Sequence, residues 1–448
     1  MGNTEGALKP ANVSTKQRRI ADLARTNPKM AFTSLNHHLD EEWLRYAYEL
    51  TRKDGATGVD GRTAANYEAN LEENLRGLLG RIKSGRYYAP PVRAATIPKA
   101  DGTARTLGIP TFEDKVAQRA IVLLLEPLYE QDFLPCSYGF RPGRSAHQAL
   151  RDLRSAIMER GLRWLLDVDL RTYFDAIEHG HLRTFLARRV ADGVVRTMID
   201  KWLKAGVLDE GQLRRSDVGT PQGGVISPLL ANVYLHYVLD EWFAAAVGPR
   251  MKRRHVLVRF CDDFVLAFED FLDGRRVFEV LGKRVGRFGL ALHPDKTRLV
   301  DFRFRRPNGR HAAAQATTFD FLGFTHVWGK SRRGRNVIYQ RTAKARYARA
   351  LRSVHDWCKK YRHRPVPEQH RRLCRMMLGH YAYYGITGNG RRLRWYAHRV
   401  ECTWRMWLSR RARGNPIRWE RFTQLLAKHP LPRPRIVHRY AAPSESAL

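Results

Sequence analysis

Two apolar runs of strand character, Val256–Phe260 and Phe264–Phe268, are separated only by Cys261, Asp262 and Asp263. Runs this apolar belong inside a sheet, whereas two adjacent unpaired carboxylates do not. The sequence therefore demands a hairpin whose tip carries both acids to a sheet edge. A third strand-like run, Trp164–Asp169, also ends on an acid. Acids from separate strands set side by side offer hard oxygen ligands to divalent metals. Two Mg2+ ions about 4 Å apart would activate an attacking hydroxyl and stabilise a departing pyrophosphate.

The rest of the chain alternates between the two periodicities. Gln17 to Arg52 carries helical spacing and ends at a glycine-rich break, Gly55 to Gly61; Leu71–Ile82 and Phe112–Tyr129 are further helices. Val92–Pro110 reads as two short strands around Asp101-Gly102, a strong hairpin signal. Ser227-Pro228 opens a helix between the acid-bearing strands. Beyond Phe302 the composition turns basic, and after Gly334 the pattern is mostly helical as far as a proline-rich segment ending near His438. Strands mixed with helices, then a helical tail, predict an α+β core with an α-helical appendage.

The formal net charge is +36 over 448 residues. An excess this large repels itself unless a polyanion neutralises it, so the leading partner is nucleic acid, ahead of an anionic membrane surface. Five widely spaced cysteines with no CxxC pair point to neither a disulfide framework nor a cysteine zinc site. The N-terminus has no apolar signal core, and no run approaches the ~18 apolar residues of a membrane span. The expectation is a protein of the cytoplasm with no membrane partner.

Two stretches suit a nucleotide. The Val92–Pro110 hairpin puts Lys99 and Arg105 on opposite arms of its turn, a clamp for a triphosphate. Gly219–Gly224 is a glycine-rich loop before a helix, where backbone N–H groups approach a nucleotide closely. Near the end, Arg391, Arg392, Arg394, Arg399, Arg405, Arg410 and Arg411 lie among Trp395, Tyr396, Trp404 and Trp407, the mixture of cations and flat rings expected for structured RNA or an RNA–DNA duplex. Trp404 and Trp407 are assigned to a helical core.

Taken in order, IPKADGTARTLGIPTFEDKVAQRA, SYGFRPGRSAHQAL, DVDLRTYFDAIEH, GTPQGGVISPLLANVYLH, VRFCDDFVLAF, GLALHPDKTRL and FDFLGF resemble a reverse transcriptase of the group II intron-encoded, maturase type. The resemblance implies a right-hand polymerase with fingers and palm, followed by an α-helical thumb/maturase domain. It implies that Asp169, Asp262 and Asp263 are the catalytic acids, with Leu170 lending a backbone carbonyl to the metals. Phe174 falls at the steric-gate position beneath the sugar, Lys99 and Arg105 at the triphosphate, Gln222 near the incoming nucleotide, and Lys296 at a proton donor to pyrophosphate. Tyr173, Asp175 and His179 match as supports. The chain departs from the family pattern at Phe260-Cys261, where Tyr-Ala is usual.

The expected organisation is a flexible tail over residues 1–14, fingers and palm over 15–330, thumb/maturase over 331–412, and a short basic DNA-binding remnant over 413–448 with no HNH endonuclease. The implied activity is RNA-directed DNA synthesis with two Mg2+ per site. The implied partners are group II intron RNA, an RNA template with a DNA primer, dNTPs and target DNA, with a second role in assisting splicing. Other readings are a domesticated enzyme acting in DNA repair or phage defence, and a maturase that only splices.

Overall fold

Apolar stripes at helical spacing organise the N-terminal half. The computed structural model describes residues 10–98, 104–209, 212–214, 218–219, 223–304, 317–411 and 416–440. Helix α1 (Ala11–Thr26) buries Val13, Gln17, Ile20 and Ala24 on one face, and the Gln17 side-chain amide donates to the Leu123 carbonyl at 2.7 Å. The helix thus begins inside the expected flexible tail, because Val13 completes its buried stripe. Asn27 and Pro28 end it, so the single helical stretch expected from Gln17 to Arg52 is interrupted. Helix α2 (Glu41–Glu49) starts anew where the Asp40 carboxylate accepts from the Trp43 N–H at 2.9 Å. Helices α3 (Ala64–Glu68) and α4 (Leu71–Lys83) follow.

Strands β1 (Val92–Pro98) and β2 (Ala104–Ile109) form the expected antiparallel hairpin, with Ile97 opposite Arg105. Helix α5 (Phe112–Asp132) is buried along most of its length and forms the axis of the largest core. Next come α6 (Ala146–Glu159), β3 (Trp164–Asp169), α7 (His179–Ala187), α8 (Gly193–Lys204), β4 (Val207–Asp209), β5 (Gln212–Arg214) and α9 (Ser227–Leu235). Strand β4 lies parallel to β1, making a four-stranded sheet in the order β2-β1-β4-β5.

The second sheet carries the acids. Strands β6 (His255–Phe260) and β7 (Asp263–Phe268) form the hairpin; helix α10 (Phe271–Gly286) and strand β8 (Arg298–Asp301) complete the order β6-β7-β3-β8. Its central strands are buried on both faces, which is why their sequences are almost unbroken apolar runs. A third sheet has the order β11-β10-β9, with β9 (Phe319–Phe321), β10 (Phe324–Lys330) and β11 (Asn336–Thr342). One face of it packs on α6 through Phe324, His326, Ile338 and Gln340.

The thumb-like bundle consists of α11 (Lys344–Tyr361), α12 (Val366–Tyr384), α13 (Gly390–Ser409) and α14 (Trp419–Lys428). A division at residue 330 cuts the β10–β11 hairpin, where Lys330 pairs with Asn336. The helical unit instead starts at Lys344, because residues 336–342 alternate inward and outward with period two. Trp404 and Trp407 are buried in the bundle core, as expected from their spacing. Residues 416–440 pack back onto the bundle and α6. Phe422 packs against Trp404, and the chain then runs back so that the Val437 N–H donates to the Gly385 carbonyl at 2.7 Å and His438 stacks on His147 of α6 at 3.5 Å. Among the described residues no helix is long and apolar enough to cross a membrane.

Candidate active site

Sheet register decides which acids meet. Strands β3 and β7 pair antiparallel with Asp169 directly opposite Asp263, and Asp262 lies in the β6–β7 turn. In that turn Cys261 is left-handed at φ 60° and buried. A side chain at Gly139 would meet the Cys261 backbone nitrogen at 2.5 Å, so this glycine permits the loop before α6 to lie against the turn.

The acids feel one another. Asp263 is half-buried, and desolvation together with Asp167, Asp262 and Asp169 pushes its carboxyl up to about 7. Asp167 shares a strand face with Asp169 and is raised to about 6, chiefly by burial. Its facing cation is Arg298 at 3.7 Å. Asp169 itself is paired with Lys296, whose Nζ lies 2.8 Å from a carboxylate oxygen, with both side chains substantially exposed. Lys296 stands on the loop that straps the end of β3: the His293 N–H donates to the Asp169 carbonyl at 2.8 Å, and the Arg171 N–H to the Ala291 carbonyl at 2.9 Å. In this bridge the Leu170 carbonyl takes no part.

A cluster of hard oxygen donors in which burial and neighbouring carboxylates make Asp263 and Asp167 weaker acids fits divalent cations. Among the described residues, no three acidic, histidine or cysteine side chains are gathered closely enough to enclose an ion, and Asp169 is paired with Lys296. The fit lies in donor chemistry and in register. Phe174 follows in a short 3-10 turn, half-buried and edge-on to Tyr173 at 5.4 Å. Tyr173 is held by its hydroxyl donating to the Ala231 carbonyl at 2.6 Å, and the His179 ring contacts the Gly219 carbonyl at 2.6 Å. These contacts place Tyr173 and His179 as supports, as expected.

The glycine-rich loop is held between the turn after β3 and strand β2. Gly219 packs on the Asp175 backbone, and a side chain at Gly223 would meet the Gly108 carbonyl of β2 at 2.5 Å. Gln118 of α5 accepts from the Val225 and Ile226 N–H groups at 2.7 and 3.3 Å. Its amide donates in turn to Asp114 at 2.9 Å. Lys99 and Gln222 lie outside the described residues, as does the Arg105 side chain.

The basic residues separate into two groups. Arg391, Arg392 and Arg394 are exposed on α13 and share one groove. Arg411 instead donates to the Arg362 and Arg364 carbonyls at the end of α11, and Arg410 lies over the Trp407 ring at 4.8 Å. Arg411, which stays partly exposed, thus closes a helix end, where carbonyls need donors.

Sequence reasoning missed Arg259. It is fully buried beside the turn, and its guanidinium donates to Asp240, to Asn232 at 2.9 Å, to Ser137 at 2.8 Å and to the Cys261 carbonyl at 3.1 Å. A lone arginine inside an apolar strand was the one signal that pointed to it. Also missed was Tyr383, whose hydroxyl donates to the Leu322 carbonyl at 2.9 Å beside Asp263.

The profile of the reverse transcriptase (RNA-dependent DNA polymerase) family matches residues 97–326. Protein YkfC of Escherichia coli (strain K12) is 34% identical over 321 residues, covering 64% of this chain and 84% of that protein. Group II intron-encoded protein LtrA of Lactococcus lactis subsp. cremoris is 38% identical over 223 residues, 49% of this chain; the match spans only 36% of that relative's length. A telomerase structure from Candida albicans superposes with a TM-score of 0.43 at 14% identity, covering 82% of this chain and 65% of that chain. The matched segment is half of the chain and contains Asp169, Asp262, Asp263 and Lys296, and the chain belongs to the reverse transcriptase (RNA-dependent DNA polymerase) family, in its group II intron-encoded branch.

Proposed function

We propose that the chain is an RNA-directed DNA polymerase that extends a DNA primer along an RNA template, and that it also binds group II intron RNA to assist splicing and movement into target DNA. The observation that carries the polymerase reading is the β3–β7 register, which puts Asp169 opposite Asp263 with Asp262 beside them at one sheet edge.

Asp169 and Asp262 would hold two Mg2+ ions, with Asp263 and the Leu170 carbonyl as further oxygen donors. Such ions would activate the primer hydroxyl and stabilise the leaving pyrophosphate. Phe174 packs beneath the deoxyribose and excludes a 2′ hydroxyl. Lys99 and Arg105 grip the triphosphate, Gln222 contacts the nucleotide, and Lys296 leaves Asp169 to protonate the departing pyrophosphate. The intron-RNA role is supported by the name of the Lactococcus relative and by the exposed arginines of α13. Splicing assistance is then a matter of binding energy, since the RNA supplies its own catalysis.

Primer extension and filter binding on the same preparations test this. Asp169→Asn and Asp262→Asn abolish extension while RNA binding stays within about threefold. Robust extension by either variant removes that residue from the metal site.

A further inference from the structure

The third sheet turns one face to α6 and leaves the other uncovered. On the open face stand Tyr339, Arg341 and Gly329, opposite in sense to the buried Ile338, Gln340 and His326. Together with α11 and the first turns of α13, this face bounds a groove of about 1140 Å3. Lys330, Arg332 and Arg341 line it from the hairpin, and Arg391, Arg392, Arg394 and Arg399 from α13; no acidic side chain is among the lining residues. Among the described residues none of the seven forms an ion pair. Seven uncompensated cations around one hollow repel each other until a polyanion enters.

The aromatic side chains say which kind. Tyr339 is a fixed floor: a side chain at Gly329 or at Gly388 would lie 2.6 or 2.7 Å from its ring, so both glycines exist as clearance for it. Its hydroxyl donates to the Lys330 carbonyl at 2.6 Å. Trp395 is 54% exposed and belongs to no core cluster. It lines both the large groove and an adjoining hollow of about 400 Å3 formed with Arg391, Arg394 and His398. The indole therefore projects between two hollows, each bordered by arginines.

We propose that this groove seats an unpaired RNA strand, with Trp395 stacked against one or two of its bases and the surrounding cations on its phosphates. A duplex offers base faces only at its ends, whereas an unpaired strand offers one at every nucleotide. The choice of RNA over DNA rests on the proposed polymerase and intron-binding function.

Fluorescence anisotropy measures binding of a 12-nucleotide unstructured RNA, the same sequence as DNA, and a blunt RNA hairpin to the full chain. Trp395→Ala weakens the unpaired RNA about tenfold and the hairpin less than twofold, and Trp395→Phe recovers most of the loss. Trp419→Ala, which removes an exposed tryptophan outside the groove, changes neither. Arg341→Gln with Arg399→Gln lowers the slope of log affinity against log salt by about 1.4 for the unpaired RNA, since each phosphate no longer neutralised takes about 0.7 from the slope. Equal losses on hairpin and single strand, or no loss from Trp395→Ala, overturn the groove; the same Trp395 dependence on single-stranded DNA overturns its assignment to RNA. Wild-type primer extension is recorded in parallel. Its absence with the Trp395 effect intact defeats the polymerase reading alone, and its presence with Trp395 silent defeats the groove alone.

Discussion

Arg259 and Asp240 face each other with neither side chain exposed, the guanidinium Nε 2.8 Å from a carboxylate oxygen. Nineteen residues separate them, and the same guanidinium reaches the Cys261 carbonyl. The pair therefore anchors the left-handed turn that presents Asp262. A buried charge left alone is far costlier than a buried pair, so Arg259→Met lowers unfolding free energy by about 3–5 kcal/mol. Urea denaturation followed by circular dichroism measures it. A midpoint equal to that of the wild type shows that the pair is not buried in solution.

Lys296 and Asp169 form the opposite kind of pair, exposed on both sides. Such a contact contributes at most about 1 kcal/mol. Lys296→Ala accordingly leaves the melting temperature nearly unchanged, while single-turnover nucleotide addition slows by a factor on the order of a hundred through loss of the proton donor. An unchanged rate reduces Lys296 to a placeholder on Asp169.

Phe174 is half-buried against Tyr173, and its ring is the only bulk the Ala variant removes. Phe174→Ala raises the ratio of rNTP to dNTP incorporation on the order of tenfold, because discrimination here is steric exclusion of one hydroxyl. Single-nucleotide extension with each substrate gives the ratio. If the variant still extends primers with the wild-type ratio, Phe174 serves the core.

Asp114 is buried and accepts from Tyr87, Trp202 and Gln118. Burial raises its carboxyl to about 6, against the three hydrogen bonds that lower it. The folded state therefore binds this proton more tightly than the unfolded chain does, so the contribution is full below the unfolded value near 4 and is lost as pH rises through about 6. The wild type should lose roughly 2 kcal/mol relative to Asp114→Asn, which does not titrate, between pH 4 and pH 6. Urea midpoints of both proteins at four pH values test the sign; a difference that is flat with pH refutes it. The Asn amide also opposes the Gln118 amide, so the variant disturbs the Val225 contact as well.

Much of the site was legible because its signals are local. Short, nearly unbroken apolar runs that end on acids, or are split by them, fix strands and put carboxylates at strand ends whatever the partner strands are. The hairpin at Val92–Pro110, the helix after Ser227-Pro228 and the core role of Trp404 follow from the same kind of nearest-neighbour pattern. Positive charge on α13 was equally visible, because no burial pattern at helical spacing absorbs so many arginines.

What the chain's order of residues left undetermined was everything set by contacts between distant segments. Asp169 meets Asp263 only through the β3–β7 register, and Arg259 acquires a partner only when residues 232–240 fold against β6. Strand β11 hid in a basic stretch because its inward residues include Gln340 and Thr342, whose polar groups are satisfied by Leu150 and Asn389 far along the chain. Arg391 and Arg411 look alike in sequence, yet one faces an open groove and the other closes a helix end. The sequence by itself determined the strand-borne acids, the helical bundle and the surplus of cations, since each depends on neighbours a few residues away. Only the tertiary structure decided which acids share an edge and which arginines stay free for a nucleic acid, because hydrogen bonds, ion pairs and burial are settled between side chains that the chain keeps far apart.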